Sequence, residues 1–254
     1  MIALENLRVT FHPGTSLEKP VLQDLSLNIN QGEFVTIIGG NGAGKTTLLS
    51  AITGDVSLTS GKIFFDNIEV TRTSSRKRAA YIARVFQDPL KGSCANLTVE
   101  ENLALALKRG QPRGLGLALC KQRREQFYTL LTRLGLGVEH HLKVPIGALS
   151  GGQRQAIALM MAVLSPSKIL LLDEHTAALD PRTAASIIHL TREIIAEKDL
   201  TTLMITHSMH QALEVGDRTV MLANGTVVYD VKGNERANLT PHNLLGKFEE
   251  LALQ

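Results

Sequence analysis

The chain has 254 residues, of which 44% are hydrophobic, 20% charged and 4% aromatic, with no Trp and a formal charge of +3. Fractions so near globular averages exclude a disordered chain and point to a core packed by Leu, Ile, Val and Ala. The small net charge gives no sign of the concentrated basic face that nucleic-acid binders carry, and the length suits one core with a sizeable insertion.

Residues 1–10 alternate like a strand and lack the basic start and apolar stretch of a signal peptide. Nowhere does an apolar run approach the ~18 residues of a membrane span. Cys94 and Cys120 lack metal-ligand spacing and fit a reducing compartment. The expectation is a cytoplasmic chain whose membrane role, if any, comes through a partner.

In chain order, residues 2–11 and 21–29 show the period of two of half-exposed strands, and residues 34–38 form a short, mainly apolar run suited to a strand of a buried parallel sheet. Directly after that run come Gly39, Gly40, Asn41, Gly42, Ala43, Gly44, Lys45 and Thr46, which fit G-x-x-x-x-G-K-[ST], and a helical run opens at Thr47. Strand before and helix after is the context a phosphate-binding loop requires. Glycines let successive backbone N–H groups point inward, and the helix presents its positive N-terminus. Lys45 adds a charge for the β- and γ-phosphates of ATP, and Thr46 can ligate Mg2+. Residues 62–65, ahead of Asp66-Asn67, add a strand to an antiparallel flank.

Residues 81–86 read as a strand, and between 87 and 150 the strand pattern vanishes. Thr98-Val-Glu-Glu reads as a capping box opening a helix to about Lys108, and residues 120–134 supply a second helix stopped by Gly135. The Gly- and Pro-bearing stretch 110–116 between them is expected to be a loop. Residues 88–148 are therefore expected to form a helical insertion in a single domain whose core comprises 1–87 and 149–254.

Residues 168–172 lead into Asp173 and Glu174, a buried strand ending in two carboxylates at the sheet edge where open α/β folds bind ligands. Asp173 suits Mg2+, through water. Adjacent strand residues point to opposite faces, so Glu174 is expected to take a different part, orienting and deprotonating the attacking water. Alone, the pair would serve equally as an acidic helix cap. Further strands follow at 203–206 and 219–222, and the tail from Pro241 carries Leu244, Leu245, Phe248 and Leu251 at the helical spacing of a core-packing stripe. The predicted fold is α/β: a P-loop NTPase (RecA-like) core with a mostly parallel sheet, an N-terminal antiparallel β subdomain and an inserted α-helical subdomain.

Phosphate loop and carboxylate strand occur together in many P-loop enzymes, small-molecule kinases and GTPases included. Leu149-Ser150-Gly151-Gly152-Gln153, at a helix start ahead of the carboxylate strand, narrows the field because it resembles the signature sequence of ABC ATPases. A Ser and two Gly at a helix N-terminus make a second anion site, and the resemblance implies that it meets the γ-phosphate of a second chain. Gln87 looks like the family's Q-loop glutamine, which contacts Mg2+ or the attacking water. His207 looks like the switch histidine that hydrogen-bonds the γ-phosphate. Ala178-Leu179-Asp180 resembles the D-loop that reaches across the dimer, while Asp180 before Pro181 reads equally as a helix cap. Phe11 stands where the family places an aromatic on adenine, with core packing as the alternative.

The resemblance runs from Ile2 to about Val231. It departs at His175, where many relatives have Pro, and at Ala178, where Ser is common. It implies a subunit that binds and hydrolyses ATP with Mg2+, peripheral on the inner face of the membrane. Two copies, or a pseudo-dimer with a related ATPase, would sandwich ATP and drive an integral membrane permease. Each site would join Lys45, Thr46, Gln87, Asp173, Glu174 and His207 of one chain to Ser150, Gly151, Gly152 and Gln153 of the other. The loop and the aspartate-glutamate strand further look like a bacterial group of import ATPases for aromatic or similar amino acids. Two alternatives stay open: a soluble ATPase of the same family acting in assembly, and a nucleotide-gated adaptor without turnover, against which Lys45 and Glu174 both argue.

Overall fold

A computed structural model of the chain describes residues 1–111 and 116–252. In order it contains β1 (Ile2–Phe11), β2 (Lys19–Ile29), β3 (Phe34–Gly39), α1 (Lys45–Thr53), β4 (Ser60–Phe65), β5 (Ile68–Glu69), α2 (Ser75–Arg78), β6 (Ile82–Val85), α3 (Val99–Leu107), α4 (Lys121–Thr132), α5 (Gly151–Leu164), β7 (Ile169–Asp173), α6 (Pro181–Lys198), β8 (Thr201–Ile205), α7 (Met209–Val215), β9 (Arg218–Ala223), β10 (Thr226–Lys232), α8 (Gly233–Ala237) and α9 (Pro241–Ala252). These elements fall into two compact units, Met1–Arg78 with Asp199–Gln254, and Ala79–Lys198.

In the first unit, β2, β1, β4 and β5 form an antiparallel sheet in that order. Its two long strands change phase midway. Ile2 and Leu4 are buried at even positions, then Leu7 and Val9 at odd ones, because a bulge intervenes at Asn6, whose φ is 49°. Strand β2 does the same at Asp24 (φ 53°), shifting burial from Leu22 to Leu25 and Leu27. Asn and Asp are the side chains that tolerate left-handed backbone, so each break falls where the sequence can accommodate it.

Strand β3 is buried along its whole length and pairs in parallel with both β8 and β9, which explains why it is apolar apart from Thr36, whose hydroxyl lies within hydrogen-bond distance of the Ala212 (3.0 Å) and Arg218 (3.1 Å) carbonyls. Strand β10, antiparallel to β9, was not expected from periodicity, since Val231 is its only fully buried residue. The signal lay in the turn: Asn224 and Gly225 have φ of 48° and 77°, the pairing favoured by two-residue hairpins. In the C-terminal helix Leu244 is buried, and Phe248 and Leu251 pack with it against Ile38 and Met221, while Leu245 stays 41% exposed.

A buried cation ties the end of α1 to its surroundings. Arg78 uses all five guanidinium N–H groups: Nη1 donates to the carbonyls of Ala51 and Ile52 (2.8 Å each), Nη2 to Val70 (2.7 Å) and Thr71 (2.8 Å), and Nε to Thr73 (3.0 Å). The first two carbonyls belong to the last turn of α1, where a helix leaves acceptors without partners and welcomes positive charge.

In the second unit, β6 and β7 pair in parallel, and α3, α4 and α5 enclose a core that includes Val99, Leu103, Phe127, Leu131 and Ile157. The expected capping box is present: Thr98 Oγ1 accepts from the Glu101 amide and Glu101 Oε2 accepts from the Thr98 amide. Helix α4 stops at Thr132, ahead of Gly135 (φ 62°). The loop expected at 110–116 lies largely outside the described residues. Among the described residues, no helix is long and apolar enough to cross a membrane.

Arg78→Met should lower unfolding free energy by about 3 kcal/mol, because it strands several buried carbonyls, whereas Arg76→Ala on the exposed side of the same turn should change it by less than about 0.5 kcal/mol. Urea denaturation of the two variants beside the parent measures both.

Candidate functional site

The phosphate loop sits between β3 and α1 in the first unit. Gly42 and Gly44 have φ of 83° and 97°, and Gly44 forms the N-cap of α1. A side chain at Gly44 would strain that backbone and place a Cβ 2.8 Å from Leu22 Cδ2 and 2.9 Å from the Val21 carbonyl. Lys45, the first residue of α1, is 6% exposed, and its Nζ donates to the carbonyls of Gly39 (2.9 Å) and Gly40 (3.0 Å). The ammonium is thus held over the mouth of its own loop. Asn41, Gly42 and Thr46 are exposed and Thr47 half-buried, leaving the loop rim and the first helical turn open to a ligand.

His207 is brought beside this loop by strand register. Ile37 of β3 is opposite Ile205 of β8 in a parallel pair, so Gly39 and His207, each two residues further on, reach the same carboxyl edge. Sequence order alone gave His207 no neighbour; the parallel pairing does. It is exposed, and Ser208 beyond it caps α7 by accepting from the Gln211 amide. Phe11 ends β1 and is 37% exposed, available to a flat ligand rather than committed to the core.

The carboxylates lie in the second unit. Asp173 ends β7, nearly buried, and Arg84 Nη2 of β6 donates to its Oδ2 at 2.8 Å. Gln87 Nε2 donates to Glu174 Oε2 at 3.1 Å. The two acidic side chains do diverge, but not by strand alternation as the sequence suggested. The strand stops at Asp173, and Glu174 has a left-handed φ of 48°, a conformation that costs a non-Gly residue roughly 1 kcal/mol or more and takes it out of the strand's alternation. His175 follows, fully buried, with Nε2 3.3 Å from Thr191 Oγ1. Thr191 donates its own proton to the Ile187 carbonyl (2.7 Å), so the histidine is the donor and carries its proton on Nε2. Burial pushes its pKa down to about 4. The ring fastens the turn behind Glu174 to α6.

Ser150 is the N-cap of α5 and forms a capping box with Gln153, which also donates through Nε2 to the Leu136 carbonyl. Gly152 permits a close approach, since a Cβ there would lie 2.6 Å from Thr183 Cγ2. Ser150 and Gly151 are exposed. Asp180 Oδ1 accepts from the Thr183 amide (3.0 Å) at the start of α6, the cap foreseen as one of its two readings, and the hydrogen bonds from Thr183 hold its carboxyl below the usual carboxylate range. Arg84 and the anchoring role of His175 were not anticipated. The only signal for Arg84 was a cation alternating with buried residues in a strand.

Gln87 and Asp173 of the second unit offer amide and carboxylate oxygens, and Thr46 of the first unit a hydroxyl, each an oxygen donor of the hard class that Mg2+ prefers. Among the described residues no cluster of three or more His, Cys, Asp or Glu could hold a metal.

An α/β chain with this strand-loop-helix cradle, a lysine at the helix start and a carboxylate-ended parallel strand is a P-loop nucleoside triphosphatase. The family described as "ABC transporter" matches residues 22–177, more than half of the chain. A tyrosine transport ATP-binding protein of Clostridioides difficile is 44% identical over 98% of this chain and 99% of its own length. The methionine import ATP-binding protein MetN of Carboxydothermus hydrogenoformans is 38% identical over 90% of this chain and 65% of that protein. Among solved structures, the bacterial ABC transporter cassette MJ0796, seen as a dimer and in a dimeric post-hydrolysis state bound to ADP and Pi, is 30% identical with a TM-score of 0.80, covering 91% of this chain and 98% of that one. The chain belongs to the ABC transporter family, as an ATP-binding subunit with ATPase activity.

The neutral burial of His175 gives stability a pH dependence. The folded state keeps its proton off down to about pH 4, whereas an unfolded histidine titrates near 6.5, so between those values the unfolded state binds more protons. Stability should therefore be unaffected above about pH 6.5 and fall by up to about 1.4 kcal/mol per pH unit as the pH drops towards 4. Urea melts of the nucleotide-free protein should show this loss reduced in His175→Gln, which can still donate to Thr191.

Proposed function

We propose that this chain is the ATP-hydrolysing motor of a membrane importer for a small solute such as an amino acid, working as a pair of copies that close over ATP. The observation that carries the reading is the hydrogen bond from Gln87 to Glu174. It holds the carboxylate next to Asp173 in one orientation, as a group that takes a proton from a positioned water requires. The relative named for tyrosine transport and the one named for methionine import support the amino-acid class.

In this reading Phe11 stacks on the adenine, and the amides of Gly39, Gly40, Asn41, Gly42, Ala43, Gly44, Lys45, Thr46 and Thr47, with the Lys45 ammonium, bind the phosphates. Thr46, Gln87 and Asp173 would hold Mg2+, which when bound would supply positive charge against the negative charge developing on the phosphates. Glu174 accepts a proton from water as the oxygen bonds to the γ-phosphorus. The bond to the β-phosphate oxygen breaks, and its electron pair leaves on ADP. His207 donates to the γ-phosphate. Ser150, Gly151, Gly152 and Gln153 of the second copy supply the start of α5, already ordered by its capping box, as donors that close the site. Asp180 of each copy keeps its helix cap while approaching the other.

A permease would hold the chain at the inner face of the membrane. A groove of about 410 Å3 in the second unit, lined by Phe86, Pro89, Ser93, Cys94, Leu105 and Met161 among others, supports docking just past Gln87. With Cys120→Ser leaving Cys94 as the single exposed thiol, a short cross-linker should capture a co-expressed permease from Cys94. Capture only from cysteines placed on α8 or α9 would contradict this docking face.

Glu174→Gln tests chemistry and assembly together. The amide cannot take the proton, so phosphate release should fall at least about a hundredfold while ATP still binds. ATP but not ADP should then accumulate a dimer detectable by light scattering. Persisting turnover would remove Glu174 from the role of base, and arrest without an ATP-dependent dimer would remove support for the second copy's Ser150 and its neighbours.

A further inference from the structure

Strand β6 carries a cation where its other residues are buried and apolar: Ile82, Ala83 and Val85 surround Arg84. A guanidinium is tolerated in such a place only when its charge is matched. Arg84 is matched to Asp173, with 2.8 Å between Nη2 and Oδ2 and only 9% and 8% of the two side chains exposed. Register sets the reach. Arg84 lies opposite Leu171 in the parallel pair, so its side chain runs two residues forward along the neighbouring strand to the end of β7.

The same guanidinium lies over the Phe86 ring, 4.7 Å from Cζ to the ring centroid, a cation–π contact. The Phe86 carbonyl accepts from Gln155 Nε2 of α5 at 3.4 Å, so the ring-bearing residue is itself held. Arg84 and Phe86 both line the groove of about 410 Å3 that runs past Pro89, Ser93 and Cys94. One side chain therefore has the groove and an aromatic ring on one flank and the carboxylate ending β7 on the other.

We propose that Arg84 is a positioning residue for Asp173. By holding Oδ2 it fixes the rotation of the carboxylate and so determines which oxygen is left for nucleotide-borne Mg2+. By resting on Phe86 it makes that rotation depend on how the groove wall is packed. The proposal rests on the reading of Asp173 as the metal-side carboxylate. Partners that orient a ligating carboxylate typically govern metal affinity by ten- to a hundredfold. A bystander cation would act oppositely, since removing positive charge beside Asp173 would strengthen Mg2+ binding.

The test is the affinity of a fluorescent ATP analogue measured with Mg2+ and again with EDTA, the ratio of the two being the gain that the ion supplies. Arg84→Met should cut this ratio by about tenfold or more while leaving the EDTA affinity unchanged. Arg84→Lys, which restores a donor without the planar contact on Phe86, should recover part of it, and Phe86→Leu should fall between the parent and Arg84→Met. Asp173→Asn separates the two layers of the argument. If it abolishes the gain while Arg84→Met and Phe86→Leu keep the parent ratio or raise it, the positioning role is overturned and the metal-side reading stands. If Asp173→Asn itself keeps the full gain, the metal-side reading fails first. Thermal melts identify a variant that does not fold. Should Arg84→Met be one, Arg84→Lys and Phe86→Leu decide, and a parent-like ratio in both overturns the proposal.

Discussion

A helix leaves the first N–H groups of its backbone without intrahelical partners, and the chemistry of this chain depends on where such starts are exposed. At α1 the start follows a buried strand and a loop that passes through left-handed φ at Gly42 and Gly44, so that amides and the Lys45 ammonium are gathered at one sheet edge. Holding Lys45 against the Gly39 and Gly40 carbonyls keeps the charge on station without a ligand. The other end of α1 is secured as firmly, because Arg78 covers its terminal carbonyls. A cradle built from backbone needs a helix that does not fray, and both ends meet that need.

The acidic side of the chemistry obeys the complementary constraint, that a carboxylate withdrawn from water requires a donor or a cation. Asp173 has Arg84 and Glu174 has Gln87, both supplied by the segment that ends β6 and leads towards α3. Two neighbouring acids are thereby given different company, a cation for one and a neutral amide for the other. The left-handed turn at Glu174 creates the divergence, and buried His175 on Thr191 holds it.

Several residues named for a partner chain already serve their own. Ser150 and Gln153 complete a capping box, and Asp180 caps α6. The structural role does not exclude the one proposed for them, since a capped helix start is an ordered one. The same economy appears at Phe11, placed by strand pairing with Lys19 at the end of β1 yet left partly uncovered.

The sequence by itself determined the phosphate loop, the carboxylate strand, the capping box at Thr98 and the order of the family's motifs, because each is a local pattern whose physics is complete within a few residues. It also determined most strands through apolar runs, and missed β10, whose burial is slight and whose signal lay only in Asn224-Gly225. Tertiary structure decided what depends on residues far apart in the chain. Parallel register brings His207 level with Gly39, and β6 beside β7 turns Arg84 from a misplaced cation into the partner of Asp173. Arg78 and His175 likewise take their meaning from carbonyls and a hydroxyl that no local window contains. Local hydrogen-bonding rules are written in residue spacing, whereas the pairing of buried charges depends on which strands become neighbours, and that is settled only when the core closes.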